Sequence, residues 1–278
     1  MRLCYARAVL RGRGMGFEHI LVMLAVWLGS IAGNMHVQNP LLDFDGDVAT
    51  SAPCGKVKFY PNAASDWLAD PRYPPFAGFY PPIASRLHQQ GTAIIAVCIM
   101  PNGWPGDAVI EKSSGWPQLD AAALISAGNW HFLPAPQGID DWPQWKDVPV
   151  NFALGPKAPP ASAETFADAP RVNGRPPANF TAPQRDPAFA HASNYPAIAN
   201  RHREEGNAIV EMTIEPDGGV DGARILKSSG SRQLDAVALV SVGYWRYFPA
   251  TENGKPIRAR WLARLLFKMP DKSRTAAR

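Results

Sequence analysis

The sequence predicts an α+β protein made of two tandem ββαβ units, each an antiparallel sheet with one helix packed on a face. Three observations carry this prediction: a gapless internal repeat, period-2 alternation in both copies, and a Ser-Ser-Gly break followed by a helical stripe. YPPIASRLHQQG from Tyr80 returns as YPAIANRHREEG from Tyr195, and VIEKSSGWPQLDAAALISAGNWHFLPA returns as RILKSSGSRQLDAVALVSVGYWRYFPA. The offset is 115 residues throughout, about half of the positions from Tyr80 to Ala135 are identical to their partners, and Phe152 meets Phe267. Similarity at one fixed offset over this span marks a duplicated unit.

Each element follows from local chemistry. The Tyr-Pro start and a short polar stretch lead to Gly91 or Gly206, a helix stop. Ala208, Val210, Met212 and Ile214 then alternate with Ile209, Glu211, Thr213 and Glu215, the pattern of a half-buried strand. Pro216-Asp217-Gly218-Gly219 supplies turn chemistry, and a second strand runs through Ile225 to the break at Ser228-Ser229-Gly230. Leu234, Ala238, Val242 and Trp245 recur at helical spacing as a core stripe, with Asp235 placed to cap free N–H groups and Asp120 its counterpart. A last strand alternates again. Ala259, Trp261, Ala263, Leu265 and Phe267 are expected to face inward, and Arg258, Arg260, Leu262, Arg264 and Lys268 outward.

The N-terminus reads as an address. Residues 20–33, ILVMLAVWLGSIAG, carry no charge and follow Arg2, Arg7, Arg11 and Arg13. As a helix the run is roughly 21 Å long, short of the roughly 30 Å hydrocarbon core. A basic stretch, a short apolar run and the small residues Ser30 and Ala32 make a signal peptide cleaved after Ala32 or Gly33. The other reading is a short uncleaved anchor over residues 17–33. Both export the remainder. Cys54 and Cys98 would stay in the mature chain, an even number in an oxidising compartment, either as a disulfide or as two independent thiols.

Composition excludes other classes. Hydrophobic residues make up 46% and charged residues 19%, so the chain can build a core and wholesale disorder is not indicated. The net charge of +4 gathers at the two ends, with no basic stripe interleaved with aromatics, so no nucleic acid is expected as a partner. The six histidines show no metal-ligand spacing, and no motif places a base beside Ser113-Ser114 or Ser228-Ser229. Catalytic residues, metal, cofactor and small-molecule substrate are therefore all expected to be absent, and the chain is read as no enzyme.

As a group, YPAIANR…G, EPDGGV, KSSG…LDAVAL, YWRYFPA and NGKPI resemble the C-terminal domain of the TonB family. The resemblance covers residues 79–154 and 194–270. It leaves 1–33 as signal or anchor, 34–78 as a partly ordered extension, 155–193 as a Pro/Ala-rich linker and 271–278 as a basic tail. It implies a non-enzymatic periplasmic protein that takes an extended peptide from an outer-membrane transporter along its C-terminal strand. If the chain is anchored, an ExbB–ExbD-type motor would be a second partner. The alternative is a soluble periplasmic scaffold or adaptor, binding other envelope proteins without energy transduction. The apolar run is short, with His19 before it rather than within it, and no Lys-Pro/Glu-Pro spacer is present; these departures put force transduction in doubt.

The expected contact residues are Tyr195, Pro196, Arg258, Arg260, Trp261 and Arg264 in the second copy. In the first, Pro149 stands where the second has Arg264, and Pro143 where it has Arg258, which makes a poor template for an added strand. Each choice has a plainer reading. The arginines also serve as edge protection, and Tyr195 as a ring packed on the sheet before a rigid turn. The first copy's Trp104, Trp116, Trp142 and Trp145 suit either a separate contact surface or packing between the copies.

Overall fold

The computed structural model describes residues 54, 79–134, 143–156, 158–164, 166, 179–189 and 194–269. The first repeat opens with helix α1 (Pro82–Arg86), followed by β1 (Gly91–Ile99), β2 (Pro105–Lys112), helix α2 (Pro117–Ala127) and β3 (Gln144–Phe152). Its three strands form an antiparallel sheet in the order β2-β1-β3. Two short strands follow in the connector, β4 (Phe180–Thr181) and β5 (Gln184–Arg185). The second repeat has α3 (Ala197–His202), β6 (Gly206–Ile214), β7 (Val220–Lys227), α4 (Arg232–Val242), β8 (Tyr247–Phe248), β9 (Ala250–Glu252), β10 (Lys255–Ile257) and β11 (Ala259–Phe267). Its main sheet has the order β11-β6-β7.

The duplication extends to backbone irregularities. The β1–β2 ladder shifts register at Ile94/Ile95 and Cys98/Ile99, and the β6–β7 ladder at Ile209/Val210 and Thr213/Ile214, each pair 115 residues apart. Gly103 and Gly218 sit at φ +83° and +81° in the two hairpin turns. A Cβ on either would lie about 2 Å from a main-chain oxygen, that of Phe132 or Tyr247, so only glycine allows the approach.

The helices differ from a one-sided stripe. Every residue of α4 from Gln233 to Val242 is buried, and nearly all of α2 is as well. The reason is a second covered face: α2 and α4 pack on each other while each lies on its own sheet. One hydrophobic core results, running from Ile83 through Leu124 and Met212 to Phe267.

Asp235 does not cap α4. Its carboxylate reaches back to the preceding turn, accepting from Ser228 Oγ at 2.5 Å, Ser229 N at 2.8 Å and Ser229 Oγ at 2.7 Å. The cap is Ser231, whose Oγ accepts from Leu234 N at 3.2 Å. Asp120 binds Ser113 and Ser114 in the same way. A carboxylate one turn into a helix faces back toward the entering chain, and two hydroxyls and an N–H gather there to meet it.

The connector is also more than a spacer. β4 pairs with β9 and β5 with β8, so residues 180–185 join the second repeat as edge strands. Cys54 forms a disulfide with Cys98 on β1, and Trp145 Nε1 donates to the Cys54 carbonyl at 3.4 Å. Cys54 is thus fixed to β1 and β3 of the first repeat. No helix among the described residues is long and apolar enough to cross a membrane, and the run 20–33 lies outside those residues.

Candidate functional site: an open edge strand

Strand β11 pairs with β6 through nine consecutive residue pairs, from Ala259↔Ile214 to Phe267↔Gly206. Among the described residues no strand pairs with its other side.

Two observations identify the main-chain groups that line the open side. Pro149 of β3 pairs opposite Ile94 as Arg264 of β11 does opposite Ile209, and a proline nitrogen is tolerated on an edge strand where it faces away from the ladder. On the far side of the sheet, Ala223 N donates outward to a carboxylate, so Met212 opposite it directs its own groups toward Trp261. Both place the N–H and C=O of Arg260, Leu262, Arg264 and Leu266 on the open edge. In β3 the same side contains Pro149, which has no N–H.

The side chains are arranged differently from their parity. Leu265 and Phe267 are buried, but Trp261 is 37% exposed and Ala263 only half-buried. Trp261 shares the inward parity of Leu265 and Phe267 but is left uncovered there. Helix α4 packs over β6 and β7 and leaves β11 at the rim, so the inner face of the strand is open at Trp261, between the buried Ala259 and the covered C-terminal end. There Tyr195 stacks edge-on against Phe267, with ring centroids 6.2 Å apart, and its hydroxyl donates to the Glu204 carbonyl. Burial, with Glu205 and Glu204 nearby, raises the Tyr195 pKa. Pro196 is buried at the start of α3. The Tyr-Pro pair thus supports the strand from behind.

The arginines line the outer face. Arg258 Nε lies 2.6 Å from Glu215 Oε1, and Arg260 Nη1 lies 3.7 Å from Glu211 Oε1. Arg264, exposed, donates from Nε to Asn207 Oδ1 at 3.0 Å. The first two are held along the sheet by carboxylates, and Arg264 by the Asn207 side chain of β6.

The tryptophans of the first copy have structural partners. Trp104 packs edge-on against His131 with centroids 4.8 Å apart, and Arg201 of the second repeat stands 6.0 Å over its ring. Trp116 Nε1 donates to the Gln90 carbonyl at 3.0 Å, and Trp142 lies outside the described residues. Among the described residues no group of three or more His, Cys, Asp or Glu could hold a metal ion.

A pair of duplicated α+β modules, each a helix-backed three-stranded sheet ending in an edge strand, defines the class of protein. The family model described as "Gram-negative bacterial TonB protein C-terminal" matches residues 77–154 and again 191–269, more than half of the chain, and the chain belongs to that family. Protein tonB2 of Pseudomonas aeruginosa is 34% identical over 94 residues, covering 34% of this chain and 33% of that protein. Protein TonB of Neisseria meningitidis serogroup C is 37% identical over 75 residues, 27% of this chain and 25% of the relative. Protein TonB of Xanthomonas campestris pv. campestris strain B100 is 39% identical over 75 residues, 27% and 34% respectively. The chain thus spans a quarter to a third of the length of these relatives. A solution NMR structure of the Pseudomonas aeruginosa TonB CTD shares 27% identity at a TM-score of 0.27, covering 34% of this chain and 91% of that one.

Proposed function

We propose that this chain is a non-enzymatic, periplasmic TonB-family protein in energy-coupled transport, and that its second repeat receives an extended peptide from an outer-membrane transporter along β11. The observation that carries the reading is the asymmetry of the two edges. The β11 edge offers four alternate residues with complete main-chain groups, Arg260, Leu262, Arg264 and Leu266, while the β3 edge is interrupted by Pro149. An added strand would hydrogen-bond to those groups and lay alternate side chains on Trp261 and on Arg264. Membership of the family supports a protein partner. Tyr195 and Pro196 serve by holding Phe267 and the strand's end in place.

Fluorescence anisotropy with labelled periplasmic segments of outer-membrane transporters tests this. Arg264→Pro removes one outward N–H without touching the β6 ladder, and should weaken binding by about tenfold or more. Asp147→Pro at the corresponding edge of β3 should leave affinity unchanged. Equal binding by wild type and Arg264→Pro would exclude docking on this edge. Membrane fractionation of the full chain in a Gram-negative host separates an anchored transducer from a diffusible adaptor.

A further inference from the structure

The free edge of β7 is closed by the chain's own connector. The Glu164 carboxylate accepts a hydrogen bond from Ala223 N at 3.0 Å, and the Phe166 ring lies 4.8 Å from the Arg224 guanidinium carbon. Just upstream, Ser162 N donates to the Leu87 carbonyl at 2.7 Å and Gln89 Nε2 to the Ser162 carbonyl at 3.3 Å. Ser162 thus lies at the end of α1, and Glu164 and Phe166 lie on β7.

The repeat explains why a carboxylate is supplied from outside. In the first copy Asp107 precedes Ala108, and its own Oδ1 accepts the Ala108 N–H at 2.8 Å. At the corresponding place in the second copy Gly222 precedes Ala223 and has no side chain to offer. Glu164 brings the carboxylate that Gly222 lacks. A Cβ on Gly222 would lie 3.3 Å from Phe166 Cζ and 3.6 Å from Glu164 Cβ, so a side chain there and the connector compete for one space.

We infer that Gly222, Ala223 and Arg224 form a peptide-docking site for a carboxyl side chain followed two residues later by an aromatic ring, occupied in cis by Glu164 and Phe166. The edge N–H reads a carboxyl oxygen, the guanidinium reads the ring face, and the missing Cβ admits the ring. The charged groups around it are Arg224 and Asp221 on β7, Glu211 on β6, and Arg86 at the end of α1. Arg224 pairs with Glu211 at 2.5 Å and Arg86 with Asp221 at 2.7 Å, which leaves the docked carboxyl to the Ala223 N–H. Occupancy covers the edge amide of β7, a group that would otherwise template a foreign strand.

Amide exchange at Ala223 in the full chain, read by NMR, tests the assignment. Glu164→Ala should speed that exchange about tenfold, while Glu164→Gln, which keeps an acceptor oxygen, should preserve protection. A synthetic peptide of residues 161–168 added to the Glu164→Ala chain should restore it in trans. Gly222→Asp should restore protection in the Glu164→Ala background by copying Asp107, and in the wild-type background should expose the connector to protease. Unchanged Ala223 exchange in Glu164→Ala, or no recovery at saturating peptide, would overturn the site. These two measurements do not need Gly222→Asp to fold.

Discussion

Single carboxylates decide how this chain turns its corners. Asp235 is buried and accepts from two serine hydroxyls and one N–H, so its removal takes the acceptor from the Ser229 N–H and loosens both hydroxyls. Burial raises its pKa and the three donors pull it back. Asp235→Ala should cost about 2–3 kcal/mol of unfolding free energy by urea titration. A loss under ~0.5 kcal/mol would show the turn to be held by backbone alone. Glu164 responds to pH in the opposite sense from an ordinary salt-bridged acid. Burial pushes its pKa from 4.5 to about 7, so the docked state holds its proton more tightly than the free connector does. Its contribution to docking is fully present below pH 4.5 and is lost as the pH rises through about 7. Proteolysis of the connector should therefore be faster at pH 8 than at pH 5.5, and Glu164→Gln should flatten the difference. The Cys54–Cys98 disulfide, spanning 44 residues, gives a third handle. Reduction should lower stability by about 2–4 kcal/mol, measured by denaturation with and without reductant.

At the scale of elements, the edge strand β11 shows which parts of a strand sequence reads well. Alternation located its span, and proline at position 149 marked the difference between the two edges. The exposure of Trp261 was not legible, because parity assigns a face but not the width of the helix that covers it. Likewise Arg258 and Arg260 looked like bare edge charges, and only the β6 register brings Glu215 and Glu211 beside them. The docking of Glu164 left a trace in the repeat, the exchange of Asp107 for Gly222, but nothing local said that a residue early in the connector would replace it. The direction of the main-chain groups along β11 gives an experiment independent of any ligand. Ala263→Pro removes an N–H that belongs to the β6 ladder and should cost about 1–3 kcal/mol. Leu262→Pro, one residue away, removes an N–H from the open side and should leave chemical denaturation nearly unchanged. Similar losses for both would mean that the edge is occupied or the register shifted.

At the scale of the molecule, the two repeats hold one another by reciprocal contacts. Arg86 of α1 donates to the Val220 carbonyl and pairs with Asp221, while Arg201 of α3 donates to the Pro105 carbonyl at 2.7 Å and the Gly128 carbonyl at 3.1 Å. Arg86 and Arg201 are repeat partners, as are Pro105 and Val220, so each copy grips the other at the same place. Ile83 lies 3.1 Å from the Cβ position of Gly243, and Ile198 lies 3.4 Å from that of Gly128, again as partners. The Ile and Arg that follow each Tyr-Pro pair, Ile83 with Arg86 and Ile198 with Arg201, lie in this internal interface. The two repeats meet at the β2 and β7 sides of their sheets, where α3 packs on β2 and α1 on β7. That arrangement turns β3 and β11 away from the junction. It also makes folding of the second repeat depend on the first, since α4 has no solvent-facing side and would expose an apolar surface if α2 withdrew. Ile83→Ala, a change in the first repeat at its junction with the second, should therefore cost about 2–5 kcal/mol and lower the stability of both. Urea unfolding followed by amide exchange in β1 and in β6 should give one coincident transition, displaced equally in the variant. If β1 exchange moves and β6 exchange stays where it was, the repeats are independent domains that merely touch, and the open edge of β11 does not rely on the first copy for its support.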